Sequence, residues 1–211
     1  MAIYHNTCNG PIEVTKHQLM GPHGYWLVGS PSITDGVASG FSTSNYLAVS
    51  PFDTTKPWEL GIKFNATNAN SILGTLSNSR SLIIRYNTGN QIFVFLSSAN
   101  AAWDIANGAS IPAFLNTAYW LKIQYTGTDY ILSYSIDGQN YTVAQHISSN
   151  LAIDTFTQLC LGYAPHIGGK LVGSIDLNET YIKVNGKLWF WQPRETEKIV
   201  LNNTLVWEKT Q

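Results

Sequence analysis

The chain is punctuated too often to hold long helices. From residue 25 onward, short apolar or alternating runs are interrupted every ~8–12 residues by Gly, Pro, Asn, Asp and Ser, the spacing of a two-sheet β-sandwich. Trp58, Leu60, Ile62 and Phe64 alternate with Glu59, Gly61 and Lys63. That period of two sends one set of side chains to each face of a strand. Tyr119, Leu121, Ile123 and Tyr125 alternate in the same way with Trp120, Lys122 and Gln124. No amphipathic run is longer than two helical turns. Asn185-Gly186 sits between two apolar runs in the stretch 173–191, and both residues tolerate the positive φ of a two-residue hairpin turn. The reading is an all-β jelly-roll-like sandwich of two antiparallel sheets, with roughly twelve to fourteen strands.

Two segments interrupt this grammar. Residues 98–117, carrying Trp103, Asp104, Gly108 and Pro112, read as one long irregular loop. Loops of that length inside a compact domain are often functional. Residues 148–157 have room for a short helical turn.

Charged residues make up 12% of the 211, about half the ~25% usual for soluble domains. Ser, Thr, Asn and Gly take their place, beside seven Trp and eleven Tyr. Such a surface suits neutral polar partners. A net charge of −1 supplies no field for nucleic acid or an anionic membrane, so neither is an expected partner. No apolar stretch approaches the ~18 residues of a membrane span. The first residues also lack the basic and apolar regions of a secretory signal. Cys8 and Cys160 are too few for a disulfide framework and read as free thiols made in a reducing cytoplasm.

Residues 1–24 form an irregular N-terminal arm, residues 25–191 the sandwich, and residues 192–211 a C-terminal hairpin extension. The last piece echoes the first hairpin signal. Residues 199–207 (IVLNNTLVW) repeat the shape of 182–189 (IKVNGKLW), with apolar residues on either side of an Asn-centred turn. Two readings of the echo stand: a hairpin appended beyond the sandwich, or the last strand pair of the same sheets. An appended hairpin exposing Val200, Leu205, Val206 and Trp207 would seek cover by self-association, making a homo-oligomer.

The order of motifs then resembles a known family. Residues 41–47 (FSTSNYL) and 57–60 (PWEL) come first, followed by 103–106 (WDIA) and 119–122 (YWLK). Residues 134–138 (YSIDG), 173–177 (GSIDL) and 182–186 (IKVNG) close the series. In this order they resemble the concanavalin-like (laminin-G-like) jelly-roll domains of bacteriophage tail, neck and fibre proteins, over about residues 25–191. The resemblance implies a sandwich carried on a virion, made in the host cytoplasm and serving adhesion or decoration. Its partners would be cell-surface glycan and other virion proteins. Relatives of this fold also include enzymes, so the site has to be argued from residues.

For glycan binding, sugars need an exposed aromatic ring for their C–H faces, with short polar side chains beside it for their hydroxyls. Trp103, Asp104 and Asn107 have that composition, and Tyr163 and His166 could face them across a sandwich edge. The competing role for Trp103 is to pin the long loop onto the sheet. Trp58, Trp189 and Trp191 read as core, while Trp120 lies out of phase with its strand's apolar set.

Catalysis is not expected. Hydrolases of this fold resemble one another in a Glu-x-Asp-x-(x)-Glu strand motif that sets two carboxylates ~5–5.5 Å apart. None of Glu13, Glu59, Glu179, Glu195, Glu197 and Glu208 stands in that pattern. Asp176 and Glu179, three apart, would point to opposite faces of a regular strand. In the arm, His5, Cys8, His17 and His23 are zinc-competent but match no zinc spacing. No metal or other cofactor is expected, calcium on looped Asp and Asn oxygens being the one the resemblance leaves open.

Overall fold

The computed structural model describes residues 25–49, 51–68, 71–76, 80–87, 89–98, 103–188, 198–201 and 204–208. In chain order the strands are β1 (Tyr25–Val28), β2 (Ser32–Thr34), β3 (Val37–Ser39), β4 (Tyr46–Val49), β5 (Trp58–Ala66) and β6 (Ser71–Leu76). Then come β7 (Leu82–Asn87), β8 (Gln91–Leu96), β9 (Ala106–Pro112), β10 (Ala118–Tyr125), β11 (Asp129–Ser135) and β12 (Thr142–Ser148). The series continues with β13 (Gln158–Leu161), β14 (Tyr163–Ala164), β15 (Gly169–Lys170), β16 (Gly173–Val184), β17 (Lys187–Leu188), β18 (Lys198–Leu201) and β19 (Thr204–Glu208). One seven-stranded sheet has the order β1-β4-β13-β6-β7-β8-β9. An eight-stranded sheet has the order β12-β11-β10-β5-β16-β3-β2, with β17 added to β16.

The alternation read from the sequence builds the core. On β5, Trp58, Leu60, Ile62, Phe64 and Ala66 are buried, and on β10 Tyr119, Leu121, Ile123 and Tyr125 are buried beside them. The facing sheet answers with Leu82, Ile84 and Tyr86 of β7 and Ile92, Val94 and Leu96 of β8. Trp58 makes ring contacts with Phe52, Tyr125 and Tyr130, so its reading as core holds. Asn185 and Gly186 have φ of 50° and 73° and turn β16 into β17, as their residue types require.

The structure departs from expectation in three places. Residues 98–117 are not one irregular loop, because β9 lies inside them as an edge strand paired with β8. Gly108 and Pro112 disguised it. Gly108 has φ 77° next to a register shift opposite Val94 and Phe95, and Pro112 ends the last strand of its sheet. A bulge and an edge are where a strand accepts those residues. Residues 148–157 contain no helical turn. Among the described residues the one helical piece is a single 3-10 turn at Pro165–Ile167. Finally, β16 breaks register between Asp176 and Tyr181. The expectation that Asp176 and Glu179 face opposite ways rested on a regular strand, and this strand is not regular.

At the C-terminal end, β18 and β19 pair antiparallel with each other as a two-stranded sheet. The side chains expected to form an apolar edge there, the zinc-competent arm residues, Cys8, Trp189 and Trp191 lie outside what is described. Among the described residues no helix is long and apolar enough to cross a membrane.

Candidate functional site

Each sheet has a second, outward face, and the two are built differently. On the seven-stranded sheet, one row of aligned residues crosses from β4 to β9: Ala48, Cys160, Gly74, Ile83, Phe95 and Asn107. The small residues at one end make a trough, and β14, the 3-10 turn and β15 fold back into it. A Cβ on Gly74 would lie 2.9 Å from Cα of Ala164. Ala48, Ile83, Cys160 and Ala164 are buried there, yet stand outside the central core. Burial pushes the Cys160 thiol up to about 12.

At the other end of the row, Trp103 lies against Phe95 with ring centroids 5.3 Å apart. Its backbone has φ 56°, a left-handed conformation uncommon for a bulky residue. His166, on the 3-10 turn, meets the Trp103 ring edge-on at 6.4 Å, and the Arg80 guanidinium stands 5.5 Å from its centroid. Asn107 is exposed on β9, in register with Phe95. Trp103, His166 and Asn107 thus gather around Phe95, over one sheet face rather than across a sandwich edge. The two remaining expected residues turn elsewhere. The Tyr163 ring packs on Tyr46 at 5.2 Å. Asp104 accepts hydrogen bonds from the Ser98 backbone N–H at 2.8 Å and its hydroxyl at 2.5 Å, closing the loop that carries Trp103. Partial burial pushes its carboxyl up, but those bonds outweigh burial and leave it below the usual range.

The outward face of the eight-stranded sheet carries three aligned rows of polar and aromatic side chains. The first is Lys183, Glu59 and Gln124; the second Tyr181, Gly61 and Lys122; the third Asp176, Lys63 and Trp120. They interlock. Glu59 accepts from the Tyr181 hydroxyl at 2.5 Å and from the Gln124 amide at 2.6 Å. Lys63 pairs with Asp176 at 2.8 Å and stands 4.7 Å over the Trp120 ring. Lys122 stands 3.8 Å over Tyr141. The Tyr181 ring lies against Gly61, where a Cβ would come within 2.4 Å of it. Burial first, then the Glu59 carboxylate, raises the Tyr181 phenol far above its ordinary range, and Tyr141 is raised by burial with help from Glu59 and Glu179. Of this set the sequence set apart Trp120, with Lys122 and Gln124 on its side of the strand, through their phase. The same phase marks Glu59 and Lys63, but neither Tyr141 nor Tyr181.

The described residues hold no acidic cluster of the kind that dominates a calcium cage. No three His, Cys, Asp or Glu side chains among them cluster for a metal ion. Three looped acids are already engaged. Asp104 holds Ser98, Asp129 holds Thr128 and Ser148, and Asp137 accepts from the backbone N–H groups of Gln139 and Asn140.

No protein-family model and no curated protein sequence matches the chain. Solved structures do match in three dimensions. The VIP36 exoplasmic/lumenal domain in its Ca2+/Man3GlcNAc-bound form aligns with a TM-score of 0.52 and 14% identity, over 81% of this chain and 87% of its own. The fold is a concanavalin-like jelly roll. The same VIP36 domain in its Ca2+/Man2-bound form gives a TM-score of 0.51 at 13% identity, over 72% of this chain and 78% of its own. Domains LG4-5 of the mouse laminin alpha1 chain give 0.55 at 14% identity, over 76% of this chain. The jelly roll spans 44% of that laminin chain. At these identities the likeness is one of fold, and the site rests on the residues above.

Proposed function

We propose that this jelly roll is a non-enzymatic module of a bacteriophage virion that binds host cell-surface carbohydrate. The observation that carries the proposal is the half-buried Trp103 ring, held on Phe95 with Asn107 in register and His166 at its edge. A ring offered beside an amide and an imidazole supplies one stacking surface and several hydrogen-bond groups, the composition that sugar recognition needs. In this reading Trp103, Asn107 and His166 touch the sugar, while Asp104 and Tyr163 hold the loops that present them. That the VIP36 domain of similar fold was solved in a Ca2+/Man2-bound form supports the ligand class. The virion setting rests on the order of sequence motifs, and attachment to other virion proteins and self-association through the C-terminal strand pair belong to it.

The test is a glycan array with the full chain, repeated with Trp103→Ala and a calcium chelator. Saturable binding that Trp103→Ala weakens at least tenfold, unmoved by chelation, is expected. Release of reducing ends from a bound polysaccharide would overturn the non-enzymatic assignment. Light scattering with and without residues 193–211 tests self-association, and a monomer in both cases would refute it.

One observation favours a second reading, a decoration protein that binds no sugar. The Trp103 ring is already in contact with Phe95, His166 and Arg80, which suits a side chain that pins a loop. An array empty of signal, with Trp103→Ala markedly less stable, would establish it.

A further inference from the structure

We propose that the outward face of the eight-stranded sheet is a second binding surface, shaped for an uncharged oligosaccharide chain laid along β5. It is independent of the Trp103 surface, which lies on the outward face of the other sheet.

Shape gives the first argument. Two depressions border this face, one at each end of β5 and each reaching past the face to core side chains, Trp58 and Tyr125 in one and Phe64 in the other. One, of about 220 Å³, is lined by Glu59, Gln124 and Lys183 with Trp58, Tyr125 and Thr126 at the strand ends. The other, of about 200 Å³, is lined by Lys63, Asn65, Ser174 and Asp176. Each is smaller than the ~300–1,000 Å³ typical of drug-sized ligands, and has room for one small ring. Both border β5, one at Glu59 and the other at Lys63 and Asn65. Four to six residues of strand at ~3.3 Å each separate them by roughly 13–20 Å, a span that takes an oligosaccharide rather than one sugar to bridge. A chain that seated a ring in each depression would cross Tyr181, which lies on Gly61, and pass Tyr141 and Trp120.

Charge gives the second argument. Lys63, Lys122 and Lys183 share the face with Glu59 and Asp176, and the Glu179 and Asp137 carboxylates act on Tyr141 beside it. Both signs are interspersed over short distances, so an anionic or cationic chain would meet like charges along its length. An uncharged chain would meet donors and acceptors only.

Rigidity gives the third. Glu59 is held by two donors, Lys63 by Asp176 and Trp120, and Tyr181 by Glu59 and Gly61. Groups fixed before binding lose little freedom on binding.

The experiment is calorimetric titration of the full chain against uncharged di- to hexasaccharides, chosen from an array covering hexose and N-acetylhexosamine backbones. Affinity is expected to rise at least tenfold from disaccharide to tetrasaccharide and then level off. Lys63→Met and Lys183→Met change opposite ends of the face. Each is expected to abolish the gain with length while leaving the thermal midpoint within a few degrees, and having two variants guards against one that fails to fold. Trp103→Ala is expected to leave the length dependence intact. Absence of saturable binding across the array, affinity independent of length, or tighter binding of a sulfated or uronic-acid chain would overturn the proposal. Length dependence lost in Trp103→Ala and kept in both lysine variants would assign the chain to the other face instead.

Discussion

The two outward faces begin from the same strand alternation and reach opposite ends. On the seven-stranded sheet the outward positions of three adjacent strands hold Ala48, Cys160 and Gly74, all three buried, and the chain folds back to set Ala164 on Gly74. On the eight-stranded sheet the outward positions of β16, β5 and β10 hold long polar and aromatic residues that bond to one another. Small outward residues let backbone approach, so that face becomes a second buried layer. Large polar ones keep backbone away and satisfy their own hydrogen bonds, so that face stays a surface. The difference teaches that the size of the residues on the polar phase of a strand, more than their hydropathy, decides whether a sheet face is covered.

The strongest test of that contrast is Gly74→Val. Its added Cβ would stand 2.9 Å from Cα and Cβ of Ala164, and backbone cannot swing aside as a side chain can. A loss of about 3 kcal/mol is expected, the upper end for overpacking a filled interior. Urea denaturation should show a lower midpoint with an unchanged slope. A loss below about 1 kcal/mol, the scale of a surface change, would mean that the cover is not a packed layer.

A smaller effect should follow from the thiol beneath the same cover. Burial raises Cys160 from an ordinary value of 9.0 to about 12, so the folded state keeps a proton that the unfolded chain gives up. Its contribution to stability is full below pH 9, falls as pH rises, and is lost by about pH 12. At pH 10.5 the difference is about 2 kcal/mol. The raised phenols Tyr130 and Tyr181 act with the same sign, which makes the comparison with Cys160→Ala necessary. The stability gap between the two proteins should shift in favour of Cys160→Ala by that amount between pH 8 and 10.5. A constant gap would place the thiol in contact with water.

Much of this was legible in the sequence, for a local reason. Period-two alternation and paired turn residues act within one hairpin, so the sandwich, the buried Trp58 and the Asn185-Gly186 turn could all be read. What escaped depends on pairing across long separations. Glu59 and Tyr181 are 122 residues apart, and nothing near Gly61 announces that a tyrosine ring will lie on it. β9 escaped because Gly108 and Pro112 mean a loop in most settings and a bulged edge strand in this one. Trp103 and His166 were named together for their chemistry, whereas their meeting over Phe95 follows from the fold-back of β14 and β15, which the small residues of the trough permit.

Gly61→Ala sharpens the comparison on the other face. Its Cβ would fall 2.4 Å from the Tyr181 ring, close enough to displace it, but a side chain can move. Alanine is also better than glycine in a strand interior by roughly 0.5–1 kcal/mol, so the net change should stay within about 1 kcal/mol. The visible effect is expected in the phenol. Lifted off Gly61 and away from Glu59, Tyr181 should titrate closer to ordinary tyrosine by ultraviolet absorbance. A loss as large as that of Gly74→Val would show that both faces are packed alike.

Asp176→Asn should have the smallest effect on stability and still report on structure. The Lys63–Asp176 pair is partly exposed, with side chains at 25% and 18% of full accessibility. A single pair in that setting contributes about 0.5 kcal/mol after solvent screening. Lys63, however, also stands over Trp120, and without Asp176 its ammonium has less reason to remain there. The indole N–H cross-peak of Trp120 should move in an NMR spectrum while the melting temperature barely changes, and high salt should move the wild-type peak the same way. If Trp120 stays put, the aromatic and the ion pair are independent ornaments of the surface. The preorganised face described above would then lose one of its three fixed groups.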